Sequence, residues 1–303
     1  MTCPACGGAL APWLTVPAGE PSDARTYPLL RCERCGSAVT GGEPPESGAY
    51  ESGVYAPEPP RLRGLVRALQ GATVRQPVRM LRRAGLPPGA LVLDAGAGRG
   101  RLVQALRRSG FDARGIEPSG RGAAESASLE RRAIDDHEDS GLDAVVLWHV
   151  LEHLEDPAAA LERVRGWLRP GGLVLVAVPN AASLQARIGR EGWLHWDAPR
   201  HRLHLTPAGL DSLLVRAELE PLGTAHMVWE HNPAGMWMAL LTRLGMTPGF
   251  PFHLLKRNVT ARRRDMALLA LGMPLAPVAL ALEAGAAGGR RGGTIAALAR
   301  ASR

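Results

Sequence analysis

The stretch ALVLDAGAGRG, Ala90 to Gly100, decides the fold. A short apolar run, Leu91-Val92-Leu93, ends in Asp94. Gly96, Gly98 and Gly100 follow, and RLVQALRRSG then continues with helical spacing. Strand, glycine turn, helix is the opening unit of a doubly wound sheet. Glycines at such a turn let the backbone approach a ligand where a Cβ would collide. Working outward, FDARGIEPS reads as a second strand with Glu117 at its tip, 19 residues after Gly98. A carboxylate there can accept hydrogen bonds from both hydroxyls of a ribose. Leu142–Leu147 is a further apolar strand, and LRPGGLVLVAVPN, Leu168 to Asn180, supplies a helix end, a turn and another buried strand. The alternation predicts an α/β fold, a mostly parallel sheet with helices on both faces.

The chain has 303 residues, room for about two domains at roughly 100–200 residues each. Its 46% apolar and 21% charged residues exclude disordered and fibrous classes for most of the length. With 36 basic and 29 acidic side chains the net charge is +7, and Lys256 is the only lysine. Arginine with abundant Ala, Gly and Pro fits a GC-rich genome; the excess charge also fits an anionic partner, whether nucleic acid, membrane surface or phosphorylated substrate. No basic segment followed by an apolar one opens the chain, and no clean run of about 20 uncharged apolar residues is present. The expected location is the cytoplasm, with reduced cysteines.

Cys3-x-x-Cys6 and Cys32-x-x-Cys35 are the four cysteines, with 25 residues between the pairs and glycine after each pair. Two thiolates two residues apart on a tight turn can share one metal, and two such turns complete a tetrahedral zinc site. Four thiolates leave no open position, so this zinc would be structural. Residues 1–40 therefore resemble a zinc ribbon. Residues 41–60, rich in Gly, Pro, Glu and Ser, read as a linker. Leu62, Leu65, Val66, Leu69, Val78 and Leu81 then give helical spacing with a basic face over 61–84.

Several ordered motifs together resemble the class I S-adenosylmethionine-dependent methyltransferases. They are DAGAGRG from Asp94 to Gly100, the acid Glu117, DAVVLWHVLEH from Asp143 to His153 and LRPGGLVLV from Leu168 to Val176. The branch most resembled includes the ubiquinone-biosynthesis O-methyltransferases, and WDAPRHRLHLTP, Trp196 to Pro207, also fits it. The resemblance covers about residues 65–230. It implies a Rossmann-like sheet, S-adenosylmethionine as cofactor and methyl transfer as the reaction. Asp94, Gly96, Gly98 and Gly100 would frame the methionine part, Glu117 would bind the ribose, and Asp135, after RRAI, would lie near the adenine. Trp148 and His149 would stand at the lip where cofactor and acceptor meet. A nicotinamide dinucleotide enzyme shares the glycine loop but has no place for WHVLEH and LRPGG.

Methyl transfer is an in-line displacement; the protein aligns the acceptor and can remove its proton. Histidine suits that base. Of nine histidines, His149 and His153 would share a helix face, a spacing that also suggests a metal pair. His201 and His204 would lie on a loop over the carboxyl edge of the sheet, with His204 the first choice of base, then His201; both could instead hold the loop shut by hydrogen bonds. The reading favours oxygen or carbon of a small or lipid-linked acceptor. The alternatives are an RNA methyltransferase using ribbon and arginines on phosphates, and a non-catalytic binding module.

Residues 221–231 read as the sixth strand and 292–300 as the last strand, making 61–231 with 292–303 the catalytic domain. The insertion, 232–291, holds apolar stretches Met236–Leu244 and Met266–Leu282, the latter charge-free, 17 residues long and interrupted by Gly272, Pro274 and Pro277. Basic residues flank it. Either a peripheral membrane contact through 236–282, at the inner face of the membrane, or a helical cap fits.

Overall fold

The computed structural model describes residues 1–43, 64, 71, 74–119 and 128–302. Most of the expected linker over 41–60 and most of the span expected to be helical from 61 lie outside the described residues; within that span α1 is Arg75–Arg83, with Val78 and Leu81 buried.

Among the described residues the central sheet has strands β4 (Leu91–Ala95), β5 (Asp112–Ile116), β6 (Leu129–Glu130), β7 (Leu142–Trp148), β8 (Leu168–Pro179), β10 (Leu219–Ala225) and β11 (Thr294–Ala301). The order is β10-β11-β8-β7-β4-β5-β6. The five strands from β6 to β8 run parallel; β11 is antiparallel to β8 and β10 to β11. This is the expected doubly wound Rossmann-like sheet. Parallel strands are covered on both faces, so they read as continuous apolar runs. Along β4, Val92 packs with Leu102 and Leu106 of helix α2 (Arg101–Arg108). Leu93 packs on the other face with Leu161 and Val164 of α3 (Pro157–Trp167).

Two expected boundaries move. The Arg-Pro-Gly-Gly turn lies inside β8: Leu142 pairs with Leu168 and Ala144 with Leu173, so residues 169–172 loop out without ending the strand. The sixth strand stops at Ala225, not 231. Gln76 holds the following turn, donating to the Met227 carbonyl at 2.6 Å and accepting from the Trp229 amide at 3.0 Å.

The N-terminal module is joined to the large sheet's domain. Strands β1 (Leu10–Pro17), β2 (Thr26–Cys32) and β3 (Ala38–Thr40) form a second sheet completed by β9 (Leu203–His204). Ala38 pairs with His204 and Val39 with Leu203. After the short helix α4 (Leu184–Gly189), Leu210, Leu213 and Leu214 of helix α5 (Pro207–Arg216) share one apolar cluster with Cys3, Ala5 and Cys32. Thr206 caps α5 by accepting from the Gly209 amide, and its hydroxyl donates to the Cys35 carbonyl at 2.6 Å. The division at residue 40 is thus one of sequence; the hydrogen bonding and the core run across it.

Between β10 and β11 the chain makes α6 (Asn232–Arg243), α7 (Phe250–Leu255), α8 (Arg263–Gly272) and α9 (Ala276–Gly288), the last two joined by a 3-10 turn.

Candidate active site

The glycine turn leaves β4 at the carboxyl edge of the sheet. Gly96, Gly98 and Gly100 have φ of +84°, +53° and +71°, a region costly to side chains with a Cβ. At Gly96 a Cβ would lie 2.5 Å from Val150 Cγ2, whereas at Gly98 it would meet nothing within 4 Å. The first glycine seats the β7 loop; the second leaves an open cradle. Glu117, at the end of β5, accepts from the Gly98 amide at 2.9 Å through Oε2 and from Ser119 through Oε1. Asp94 is 3% exposed; burial, with the charge of Glu117 next, pushes its carboxyl up to about 7. An open cleft lined by Pro118, Arg131, Arg132, Ala133 and Asp136 continues from Glu117. The open cradle, the inward carboxylate and the adjoining cleft fit a nucleoside cofactor.

Asp135 is placed differently from the expectation. The short strand is Leu129–Glu130, not residues 131–134, and Asp135 is exposed and pairs with Arg163 of α3 at 3.5 Å. Asp136 is the acid that lines the cleft.

The other rim is built on His149. It follows β7 with φ +59°, a left-handed conformation that costs an L-residue about 1–2 kcal/mol. Its amide still bonds Ala177 of β8 at 2.9 Å, so the reversal occurs at the strand's last rung. The ring Nδ1 lies 3.0 Å from Oε1 of Glu152, which is 1% exposed. Burial opposes charge on both groups, but each favours the other's charged form: the histidine is raised above its ordinary value and the carboxyl lowered. His149 Nε2 and Glu152 Oε2 are buried without a hydrogen-bond partner. The His231 ring stands 4.4 Å from that of His149, and His195 stands 5.7 Å from His231. Desolvation and the neighbouring imidazoles hold His195 well below the ordinary histidine value, and His231 comes down to about 4. Trp148 donates from Nε1 to Glu230 at 2.9 Å, closing the rim.

His149 and His153 do not share a helix face. Leu151–His153 is a single 3-10 turn, and His153 turns to the Arg200 carbonyl and the His201 ring. Donor atoms of Glu152, His153 and His201 approach within 4.8 Å of one another, close enough to hold an ion.

His204 and His201 also depart from the expectation. His204 lies in β9 rather than on a loop, and its Nε2 is 2.8 Å from Thr40 Oγ1. That hydroxyl donates its one hydrogen to the His201 carbonyl at 2.7 Å, so His204 must donate from Nε2. Burial, then Arg202, brings His204 down to about 3. His201 bonds the His195 carbonyl through Nδ1 at 2.8 Å and is equally buried. The His204 ring fastens the segment after β8 to the N-terminal sheet, and the His201 ring ties that segment to itself at His195. His195, Glu230 and His231 carry little signal in the sequence beyond aromatic and acidic neighbours on segments that follow β8 and β10.

The four cysteine sulfurs meet at the base of the small sheet. Cys3 and Cys35 are 3.7 Å apart, Cys6 and Cys32 3.4 Å, and all lie within 4.8 Å of one another. Sulfurs about 2.3 Å from one tetrahedral zinc would be about 3.8 Å apart. A Cβ at Gly8 would lie 2.8 Å from Cys32 Sγ. The donor set and spacing fit zinc.

A doubly wound sheet with an open glycine cradle beside Glu117 and a buried His149–Glu152 pair at the end of the neighbouring strand fits the class of nucleoside-cofactor enzymes. A family profile described as a methyltransferase domain matches residues 69–222. The ubiquinone biosynthesis O-methyltransferase of Dinoroseobacter shibae is 32% identical over 177 residues, covering 51% of this chain and 69% of that protein. The protein of the same name from Bordetella avium is 31% identical over 170 residues, covering 50% and 69%. In fold, a chain of the complex between the Haloferax volcanii Trm112 methyltransferase activator and a methyltransferase is similar, with TM-score 0.51, 16% identity and coverage of 79% of this chain and 95% of that one. The chain belongs to the methyltransferase domain family and is an S-adenosylmethionine-dependent methyltransferase.

Proposed function

We propose that this methyltransferase acts on a hydroxyl oxygen of a small or lipid-linked acceptor, with His149 as the base. The observation that carries the reading is the His149–Glu152 pair: Nδ1 is committed to a buried carboxylate, and Nε2 is buried and unpartnered. When bound, S-adenosylmethionine supplies an electrophilic methyl carbon on a sulfonium. Glu117 would hold its ribose, the turn through Gly96 and Gly98 its methionine part beside Asp94, and Asp136 would flank the adenine. His149 takes the hydroxyl proton at Nε2, and Glu152 stabilises the imidazolium that results. The name of the relatives, O-methyltransferase, supports oxygen as the acceptor atom. The cysteine cluster holds a structural zinc, supported by its sulfur spacing.

The test incubates the protein with methyl-tritiated S-adenosylmethionine and a total cell extract, followed by solvent partition. The expected label is organic-soluble or in small metabolites, and hydriodic acid releases it as volatile methyl iodide, as it does from an O-methyl ether. Label resistant to that cleavage, or retained in RNA, contradicts the reading.

A further inference from the structure

We propose that the outer face of the helical segment Arg263–Gly288 seats the protein on an anionic membrane surface. The most apolar 18-residue window of this 26-residue segment has mean hydropathy 1.8 and is only 17% buried. At 1.5 Å per residue the segment is about 39 Å long. Leu271 is 76% exposed, Met273 57% and Val278 49%. No charged residue occurs from Met266 to Leu282. The acids at either end of that run are turned inward. Asp265 accepts from the Thr247 amide and hydroxyl at 2.9 Å, and Glu283 accepts from the Gly293 amide at 2.7 Å and Gln185 at 2.8 Å. Both are buried.

The inner face is fixed along its length. Trp237 of α6 donates to the Gly272 carbonyl at 2.8 Å, and Ala279, Glu283 and Ala286 are buried. A helix tied to the body of a folded domain in this way lies along a bilayer rather than across it. Exposed apolar surface of this extent marks an interaction site. Its charges choose the occupant. Arg262, Arg263 and Arg264 are exposed at one end, Arg290 and Arg291 just beyond the other. Anionic headgroups complement both ends. A second copy does not: parallel or antiparallel, it would set arginines against arginines.

The experiment is flotation of the full chain with phosphatidylcholine vesicles containing or lacking phosphatidylglycerol, at low salt. The protein is expected to float with the anionic vesicles. Replacing Leu271→Glu, Met273→Glu and Val278→Glu together should lower partition by about tenfold or more. Replacing Arg262→Gln, Arg263→Gln and Arg264→Gln should lower it by about fivefold per arginine. These side chains are exposed, so melting temperature and S-adenosylmethionine affinity should match wild type, separating this test from that of the proposed reaction. A wild type that stays in the soluble fraction overturns the proposal, as does a triple glutamate variant that floats equally well. A dimer dissolved by the glutamates, without vesicle binding, also overturns it and assigns the face to a second copy.

Discussion

The two groups at the carboxyl edge of the sheet, one after β4 and β5 and one after β7, are made in different ways. The cofactor rim comes from one strand–turn–helix unit and the tip of the next strand, Asp94 to Glu117. The proposed acceptor rim gathers His149, Glu152, His195, Glu230 and His231 from separate loops. Its packing depends on a segment clasped to the N-terminal sheet. The first is a local device and the second a product of tertiary assembly, so they should fail separately.

Removing the zinc proposed for the cysteine cluster is the strongest way to break the comparison. The metal's binding energy is folding energy for a module this small, and β3 carries β9 with it. Cys3→Ser with Cys6→Ser, or a strong chelator, should cost several kcal/mol and lower Tm markedly, with zinc content falling in step. If Tm is unmoved while metal is lost, the ribbon does not support the acceptor rim.

His149→Ala should reduce kcat by about 10²–10⁴-fold in the tritium-transfer assay. Wild-type turnover should fall as pH drops through a value above the 6.5 of an ordinary histidine, because Glu152 stabilises the protonated ring. Glu152→Gln removes that stabilisation and leaves burial, so the same limb should move to lower pH while kcat falls. A limb that stays in place takes the pair out of the chemistry.

The smallest effect concerns the clasp. His204 has a folded pKa of about 3 against an ordinary 6.5, so below 6.5 the unfolded chain binds more protons. The stability is present above 6.5 and lost as pH falls toward 3, by up to about 1.4 kcal/mol per pH unit. His204→Gln can still donate to Thr40 and should flatten part of the fall in Tm on acidification. An unchanged slope would show that other buried histidines carry it.

The same contrast explains what was legible in the sequence. The fold class and its parallel strands follow from apolar runs and the glycine turn, because β4, β7 and β8 are buried on both faces. The cysteine cluster follows from spacing. The role of His204 does not: Thr40, which fixes its proton, is 164 residues away, and WDAPRHRLHLTP gives no sign of pairing with Ala38–Thr40. Asp135 and Asp136 are adjacent, and only the end of β6 at Glu130 decides which faces the cleft. His149 is legible as a residue, but the helix face its spacing predicts is replaced by a left-handed turn that aims it at Glu152.

Calorimetric titration of S-adenosylmethionine into wild type, Glu117→Ala and His149→Ala tests the separation of the rims most directly. The account predicts that Glu117→Ala weakens binding by about 100-fold, as loss of hydrogen bonds to a charged group can, while His149→Ala binds as wild type does. Equal binding by Glu117→Ala, or a comparable loss in His149→Ala, would contradict it.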